Sequence, residues 1–269
     1  MAVQGTRLET NEEVREALAR YRPPARGAAP LNQQPAPPDD NPPLFRPTRR
    51  PPMPVLTVFD DGSEKGESIR IRKEAFAIGR TEGDLVIAYE GQMSARHAEL
   101  RCSASKNKHH WQLVDLNSTN GTYVRIGHAV LEHGQEFIVG RTRFRFEHEA
   151  VPSAGRSAAN QATQPWQTGA ANVLTPSIVE LNATLDGPRL VITQSETWLG
   201  KDANYCQLVL RDDPFVSARH ARVHRDEEGR WIIENNKSLN GVWLRIQRLL
   251  LKGTCRFLLG EQQFMVRIP

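Results

Sequence analysis

The hydrophobic rhythm changes along the chain. Val14, Ala17, Leu18 and Tyr21 fall at i, i+3, i+4 and i+7, a single narrow apolar stripe. Thr10-Asn11-Glu12-Glu13 stands before it with the S/T-x-x-E spacing of a capping box, and Pro23-Pro24 ends it. This predicts a short amphipathic helix over 10–21, which is marginal in water unless it docks on something. From Val55 the apolar residues instead come in short β-branched and aromatic runs about ten residues apart, with Gly, Asn and Asp between them. Strands are predicted at Val55–Phe59, Ser68–Arg72, Ala75–Ile78, Leu85–Ile87, Ala98–Cys102, Trp111–Asp115, Tyr123–Ile126, Phe137–Val139 and Arg143–Phe146. The rhythm resumes at Ser177–Leu185, Leu190–Thr193, Gln207–Leu210, Ala221–Arg225, Trp231–Glu234, Trp243–Ile246 and Phe264–Ile268. Many short strands joined by turn residues mean an all-β fold, a sandwich or a barrel.

Composition locates the boundaries. Twelve of the 18 prolines lie between Arg22 and Pro54, which reads as an extended linker with local polyproline character. Val151–Leu174 is rich in Ala, Gln, Asn and Ser, with one charge, and reads as a flexible connection. The expected organisation is a tail at 1–53, a β unit at 54–149, a linker at 150–174 and a second β unit at 175–269. Each unit has about 95 residues, enough to bury a core.

The two units repeat one pattern. Ser94-Ala95-Arg96-His97-Ala98 recurs unchanged as Ser217-Ala218-Arg219-His220-Ala221. Ile78-Gly79-Arg80 answers Leu199-Gly200-Lys201, and Ile138-Val139-Gly140 answers Leu258-Leu259-Gly260. Ser118-Thr119-Asn120-Gly121-Thr122-Tyr123-Val124-Arg125-Ile126 answers Ser238-Leu239-Asn240-Gly241-Val242-Trp243-Leu244-Arg245-Ile246 at an offset of 120. Gly-Arg after a strand, then Ser-x-x-His, then Ser-Thr-Asn-Gly-Thr resembles the forkhead-associated (FHA) domain, a phosphothreonine-binding β-sandwich. The resemblance implies two tandem, largely antiparallel sandwiches, each with its ligand loops at one end.

A phosphothreonine carries nearly two negative charges, three acceptor oxygens and a methyl group. Arg80 offers a fork of donors suited to phosphate, Ser94 a hydroxyl, Thr119 a further donor and Asn120 an amide for the peptide backbone. By the resemblance these four are the phosphopeptide contacts of copy one, with Gly79, His97 and Gly121 supporting the loops. The second copy keeps Ser217, His220 and Asn240, which with Lys201 form a possible second site. Lys201 has charge without the bidentate fork, and Leu239 replaces the threonine hydroxyl, so this copy is expected to bind weakly, differently or without phosphate. Arg96 flanks the first site, or is simply solvated.

Other classes are disfavoured. Ser94 and His97 have no G-x-S-x-G elbow and no third member, and no Walker A or kinase signature occurs, so an enzyme is not expected. His109-His110 stands without further ligands, and no metal or cofactor is expected. Cys102, Cys206 and Cys255 are odd in number with no CxxC, so neither a disulfide framework nor a zinc ribbon is expected. The net charge of +4 is thinly spread: residues 55–149 hold 13 basic against 14 acidic residues, and 177–269 hold 13 against 11. Nucleic-acid binding lacks its electrostatic footprint, and the tryptophans at 111, 231 and 243 fall within strand patterns. No apolar run approaches the ~20 residues of a membrane helix, and no secretory or transit signal is evident, so a cytoplasmic location is expected without membrane insertion. The expected partners are phosphothreonine-containing proteins, a Ser/Thr protein kinase or its substrates, and the chain's own N-terminal tail if Thr10 or Thr48 is phosphorylated. The rival reading is a structural scaffold subunit that uses both sandwiches without phosphate.

Overall fold

A computed structural model describes residues 6–20, 53–59, 65–105, 108–148, 175–182 and 186–269. The proline-rich stretch from residue 21 to 52, with Thr48, and the whole 150–174 connection lie outside them.

Twenty strands and one helix make up the described chain. They begin with β1 (Arg7–Leu8) and α1 (Asn11–Arg20). The first copy contributes β2 (Val55–Phe59), β3 (Gly66–Arg70), β4 (Ala75–Gly79), β5 (Leu85–Val86), β6 (Ala98–Ser105), β7 (Lys108–Asp115), β8 (Thr122–Val130), β9 (Glu136–Val139) and β10 (Thr142–Glu147). The second contributes β11 (Ser177–Leu181), β12 (Asp186–Val191), β13 (Glu196–Gly200), β14 (Leu208–Val209), β15 (Ala221–Arg225), β16 (Trp231–Asn235), β17 (Val242–Ile246), β18 (Arg248–Leu251), β19 (Thr254–Leu259) and β20 (Gln262–Arg267). The fold is all-β, almost wholly antiparallel, with a short N-terminal helix. The helix is capped as its spacing predicts. The Glu13 N–H donates to the Thr10 hydroxyl at 3.3 Å, and the Thr10 N–H donates back to the Glu13 carboxylate at 2.7 Å.

The two copies exchange their C-terminal strands. β7 of the first copy pairs with β18 of the second, placing Gln112 opposite Leu250, while β16 of the second pairs with β8 of the first, placing Ile232 opposite Val130. The chain's first long strand, β2, lies against its last, β20, and β10 lies against β11. One sandwich therefore joins β18-β7-β6-β4-β5 with β3-β2-β20-β19 and the start of β8. The other joins the end of β8 and β16-β15-β13-β14 with β12-β11-β10-β9-β17. Packing follows the exchange: Phe146 of β10 lies 6.1 Å, centroid to centroid, from Trp231 of β16.

β8 and β17 cross at the centre. Val124 faces Leu244, its equivalent at offset 120, and Arg125 facing Trp243 mirrors Tyr123 facing Arg245, so the crossing has a local two-fold axis. Val124, Ile126, Val242 and Leu244 are fully buried there. Two closed copies with a bend at this point would keep their other strand pairings but lack the five residue pairs between β8 and β17. Those pairs, and the apolar surface they bury, are what the exchanged arrangement adds. The N-terminal segment fastens the crossing. β1 pairs with β8, and Val14 of α1 is buried.

Candidate functional site

The loops that precede β5, β6 and β8 meet at one end of the first sandwich, all from copy one. Gly79 ends β4 where a Cβ would overlap the Ala95 and Glu82 carbonyl oxygens. Its requirement is space, whereas Gly121 sits at φ 84°, a left-handed conformation that favours glycine. Arg80 follows Gly79. Its N–H donates to the Ser94 carbonyl at 2.9 Å, and its exposed guanidinium has no hydrogen bond or ion pair among the described residues. The Ser94 hydroxyl oxygen accepts the Thr119 N–H at 3.0 Å. That bond occupies a lone pair and leaves the hydroxyl hydrogen for an incoming acceptor.

His97 ties these loops together. Its Nδ1 accepts the Ser94 N–H at 3.1 Å, which makes Nε2 the donor to the Gly121 carbonyl at 3.1 Å. The ring is fully buried, and desolvation lowers its pKa, so it stays neutral and has no open face toward a ligand. Asp115 organises the loop from beneath. Its carboxylate accepts from the Ser118 N–H and hydroxyl and from the Thr122 hydroxyl, and the Ser118 oxygen in turn accepts the Gly121 N–H.

Asn120 is expected to offer its amide to a peptide backbone, and the structure commits one end of that amide to the neighbouring loop. Its Nδ2 donates to the Gln92 carbonyl at 2.8 Å and to the Gln92 side-chain oxygen at 3.0 Å. Its donors hold the neighbouring loop, and Oδ1 is the atom left for a partner. Arg96 is paired with Glu99 at 2.9 Å, alongside Arg101.

The second sandwich repeats the frame with altered chemistry. His220 accepts the Ser217 N–H at 3.1 Å and donates to the Gly241 carbonyl at 2.9 Å, and burial pushes its pKa down to about 4. Asn240 donates to the Phe215 carbonyl at 2.8 Å. Lys201 replaces the guanidinium, and no bond from Leu239 N–H to Ser217 matches the one that orients Ser94. Arg219 stacks 3.6 Å from the centroid of the exposed Tyr205 ring.

The pattern reading missed the groups that the exchange delivers. Arg245 of β17 backs Gly121 of the first site, and Arg125 of β8 backs Gly241 of the second. Both arginines stand in the repeated Val/Leu-Arg-Ile motif, a visible signal with no role evident from sequence alone. Arg125 is buried and ion-paired with Glu9. The other Glu9 oxygen accepts from Asn235 Nδ2 at 2.9 Å. The first copy has Asp115 at the position of Asn235 and offers no such donor, so the N-terminal segment can be held this way only on the second side. Among the described residues no group of three or more His, Cys, Asp or Glu is placed to hold a metal ion. Nor is any described helix long and apolar enough to cross a membrane.

Comparison with known proteins finds one domain family in both repeats. The FHA domain family model matches residues 76–140 and 197–260. The oxoglutarate dehydrogenase inhibitor of Corynebacterium jeikeium is 32% identical over 95 residues, 34% of this chain and 63% of that protein. The glycogen accumulation regulator GarA of Mycolicibacterium smegmatis is 30% identical over 95 residues, 34% of this chain and 58% of that protein. The chain thus spans less than two thirds of either relative. A solved structure described as a structural and functional analysis of phosphothreonine-dependent FHA domain interactions aligns over 81% of this chain and 97% of its own, at 15% identity and a TM-score of 0.31.

Proposed function

We propose that this chain, which belongs to the FHA-domain proteins and carries two tandem copies of the domain, is a phosphothreonine-dependent adaptor in Ser/Thr kinase signalling. Copy one is the reader. The observation that carries this reading is the unpaired Arg80 guanidinium on the same rim as a Ser94 hydroxyl whose hydrogen the Thr119 N–H leaves free. A fork of charged donors and an oriented hydroxyl are the groups that a phosphate needs. Thr119 adds its own hydroxyl at the exposed edge, and Asn120 Oδ1 accepts a peptide N–H. His97, Gly79 and Gly121 keep the three loops in register. No step is catalysed; the site holds a segment that a kinase has already modified.

Copy two is a weaker or altered module. It lacks the guanidinium fork and the threonine, and Ser217 lacks the bond that orients Ser94. Charge-assisted hydrogen bonds contribute roughly 1.5–3 kcal/mol each, so losing one and weakening another lowers affinity about a hundredfold. A phosphate-independent scaffold role is the second reading, favoured by Leu239 standing where copy one has Thr119. The tail adds a regulatory variant. Thr10 caps α1, and once phosphorylated it would leave that position and compete intramolecularly for copy one. Mass spectrometry after kinase treatment that finds no phosphate on Thr10 or Thr48 removes that variant.

The deciding experiment titrates the full chain with a degenerate phosphothreonine peptide pool and its unphosphorylated twin, with Arg80→Ala as control. Micromolar binding that needs both the phosphate and Arg80 is expected. A folded protein free of tail phosphorylation that shows no phosphate dependence transfers the assignment to the scaffold.

A further inference from the structure

The strand exchange carries more than the fold. In each sandwich the turn that stands beside the site asparagine comes from the other copy. The Gly140-Arg141 turn between β9 and β10 belongs in sequence to copy one, yet it lies against the second site. The Arg141 N–H donates to the Asp213 carboxylate at 2.6 Å, and the Arg141 guanidinium carbon lies 5.7 Å from the Phe215 ring centroid. Phe215 is the residue whose carbonyl holds Asn240. The equivalent Gly260-Glu261 turn between β19 and β20 belongs in sequence to copy two, yet it lies against the first site. Gly260 abuts Glu90 and Gln92, and the next residue after Glu261, Gln262, accepts the Tyr89 hydroxyl at 3.1 Å. Gln92 is the residue that holds Asn120.

The charge at this turn is opposite in the two copies. Arg141 and Glu261 are equivalent at offset 120, and both are exposed. Because the turns are exchanged, the arginine stands on the second site's side, against Asp213 and Phe215, and the glutamate's turn stands on the first site's side, against Glu90 and Gln92. Asp213 is the buried carboxylate nearest Arg141, at 4.0 Å from its Nε, and it is already bound to the Arg141 and Phe215 N–H groups. Glu90 likewise accepts the Gln92 N–H at 2.9 Å.

We propose that these exchanged turns set the flanking-charge preference of the two sites. Arg141 makes the second site select phosphothreonine segments with acidic neighbours. Glu261 turns such segments away from the first site and favours basic neighbours there. This inference rests on the phosphothreonine-binding reading above. It reverses the assignment that linear order would give, in which Arg141 would serve copy one.

The test uses the full chain and two sets of phosphothreonine peptides, one with Asp and Glu around the modified residue and one with Lys, each with an unphosphorylated twin. Arg80→Ala isolates the second site and Lys201→Ala the first. Charge reversal of one exposed group is expected to move the acidic-to-basic preference about three- to tenfold at low salt. Arg141→Glu should lower that ratio at the second site and leave the first unchanged. Glu261→Lys should raise it at the first site and leave the second unchanged. Arg141→Glu acting on Arg80-dependent binding instead, or neither substitution moving its assigned site, overturns the inference while the phosphothreonine reading stands. Absence of phosphate-dependent binding in every background overturns both.

A second measurement addresses the exchange without any ligand. With the three native cysteines changed to alanine, Gln112→Cys and Leu250→Cys are cross-strand partners and within disulfide reach. In closed copies Gln112 would instead face Val130. With a protease site inserted between residues 155 and 165, oxidation followed by cleavage should leave the two fragments of monomeric protein covalently joined. Fragments that separate on a non-reducing gel, with the 112/130 cysteine pair forming instead, overturn the inference.

Discussion

Removing the Glu9 carboxylate tests how the N-terminal segment is held. The Glu9 side chain is 2% exposed and that of Arg125 is 5%. After Glu9→Ala the guanidinium keeps only the Leu239 carbonyl at 3.0 Å, the Ser238 carbonyl at 3.4 Å and the Trp243 ring, centroid 5.9 Å away. None of these carries a full negative charge. Breaking a buried pair by deleting one partner costs about 3–5 kcal/mol, because the other charge remains desolvated. An exposed pair would cost about 0.2–1 kcal/mol. At roughly 2–4 °C per kcal/mol for a chain of this size, the expected loss in Tm is about 10 °C. The assay is urea unfolding of wild type, Glu9→Ala, Arg125→Met and the double variant. Each single change should cost several kcal/mol, and the double variant should recover most of the loss, since apolar groups in place of both charges leave nothing unpaired. Single-variant losses under about 1 kcal/mol with no coupling would refute the burial of this pair and the fastening role given to β1.

Three further outcomes are expected. Asn235→Asp sets a carboxylate against Glu9 and should release the N-terminal segment, seen as faster amide exchange over residues 7–16 with the copy-one site unaffected. Gly121→Ala demands a Cβ at φ 84° in space held by Arg245, and should lower stability by about 1–3 kcal/mol and weaken Arg80-dependent binding in the same titration. Burial holds the pKa of His220 at about 4 in the folded protein, against about 6.5 for an ordinary exposed histidine, so between these values the unfolded chain takes up a proton that the folded chain refuses. Its contribution is complete above pH 6.5 and is lost as pH falls toward 4, about 3 kcal/mol in all, and His220→Gln should flatten that part of the stability curve measured by urea titration across pH.

The sequence pattern made the elements legible where local chemistry decides them. The capping box of α1, the run at Val55–Phe59 and the hairpin-forming strands β6 and β7 lie close to where periodicity puts them. β1, two residues long, and the polar-flanked β18 and β19 carried too little local signal to be read. The site loops were legible as motifs because Ser94, His97, Ser118 and Gly121 are fixed by bonds within one copy, between residues at most 25 apart in the chain. Repetition also concealed the pairing. β8 and β17-β18 are equivalent segments, so each apolar pattern that fits its own copy fits the other equally well, and periodicity cannot choose between them. What breaks the tie is not in the strands' alternation. It is the added β8–β17 contact and the asymmetric pin formed by Glu9, Arg125 and Asn235, groups separated by more than 100 residues in the chain. A repeat that reads as two independent modules is therefore energetically one unit at its crossing. Near that crossing the copies differ at Asp115 against Asn235, and only the asparagine donates to Glu9, so the N-terminal segment is held on one side.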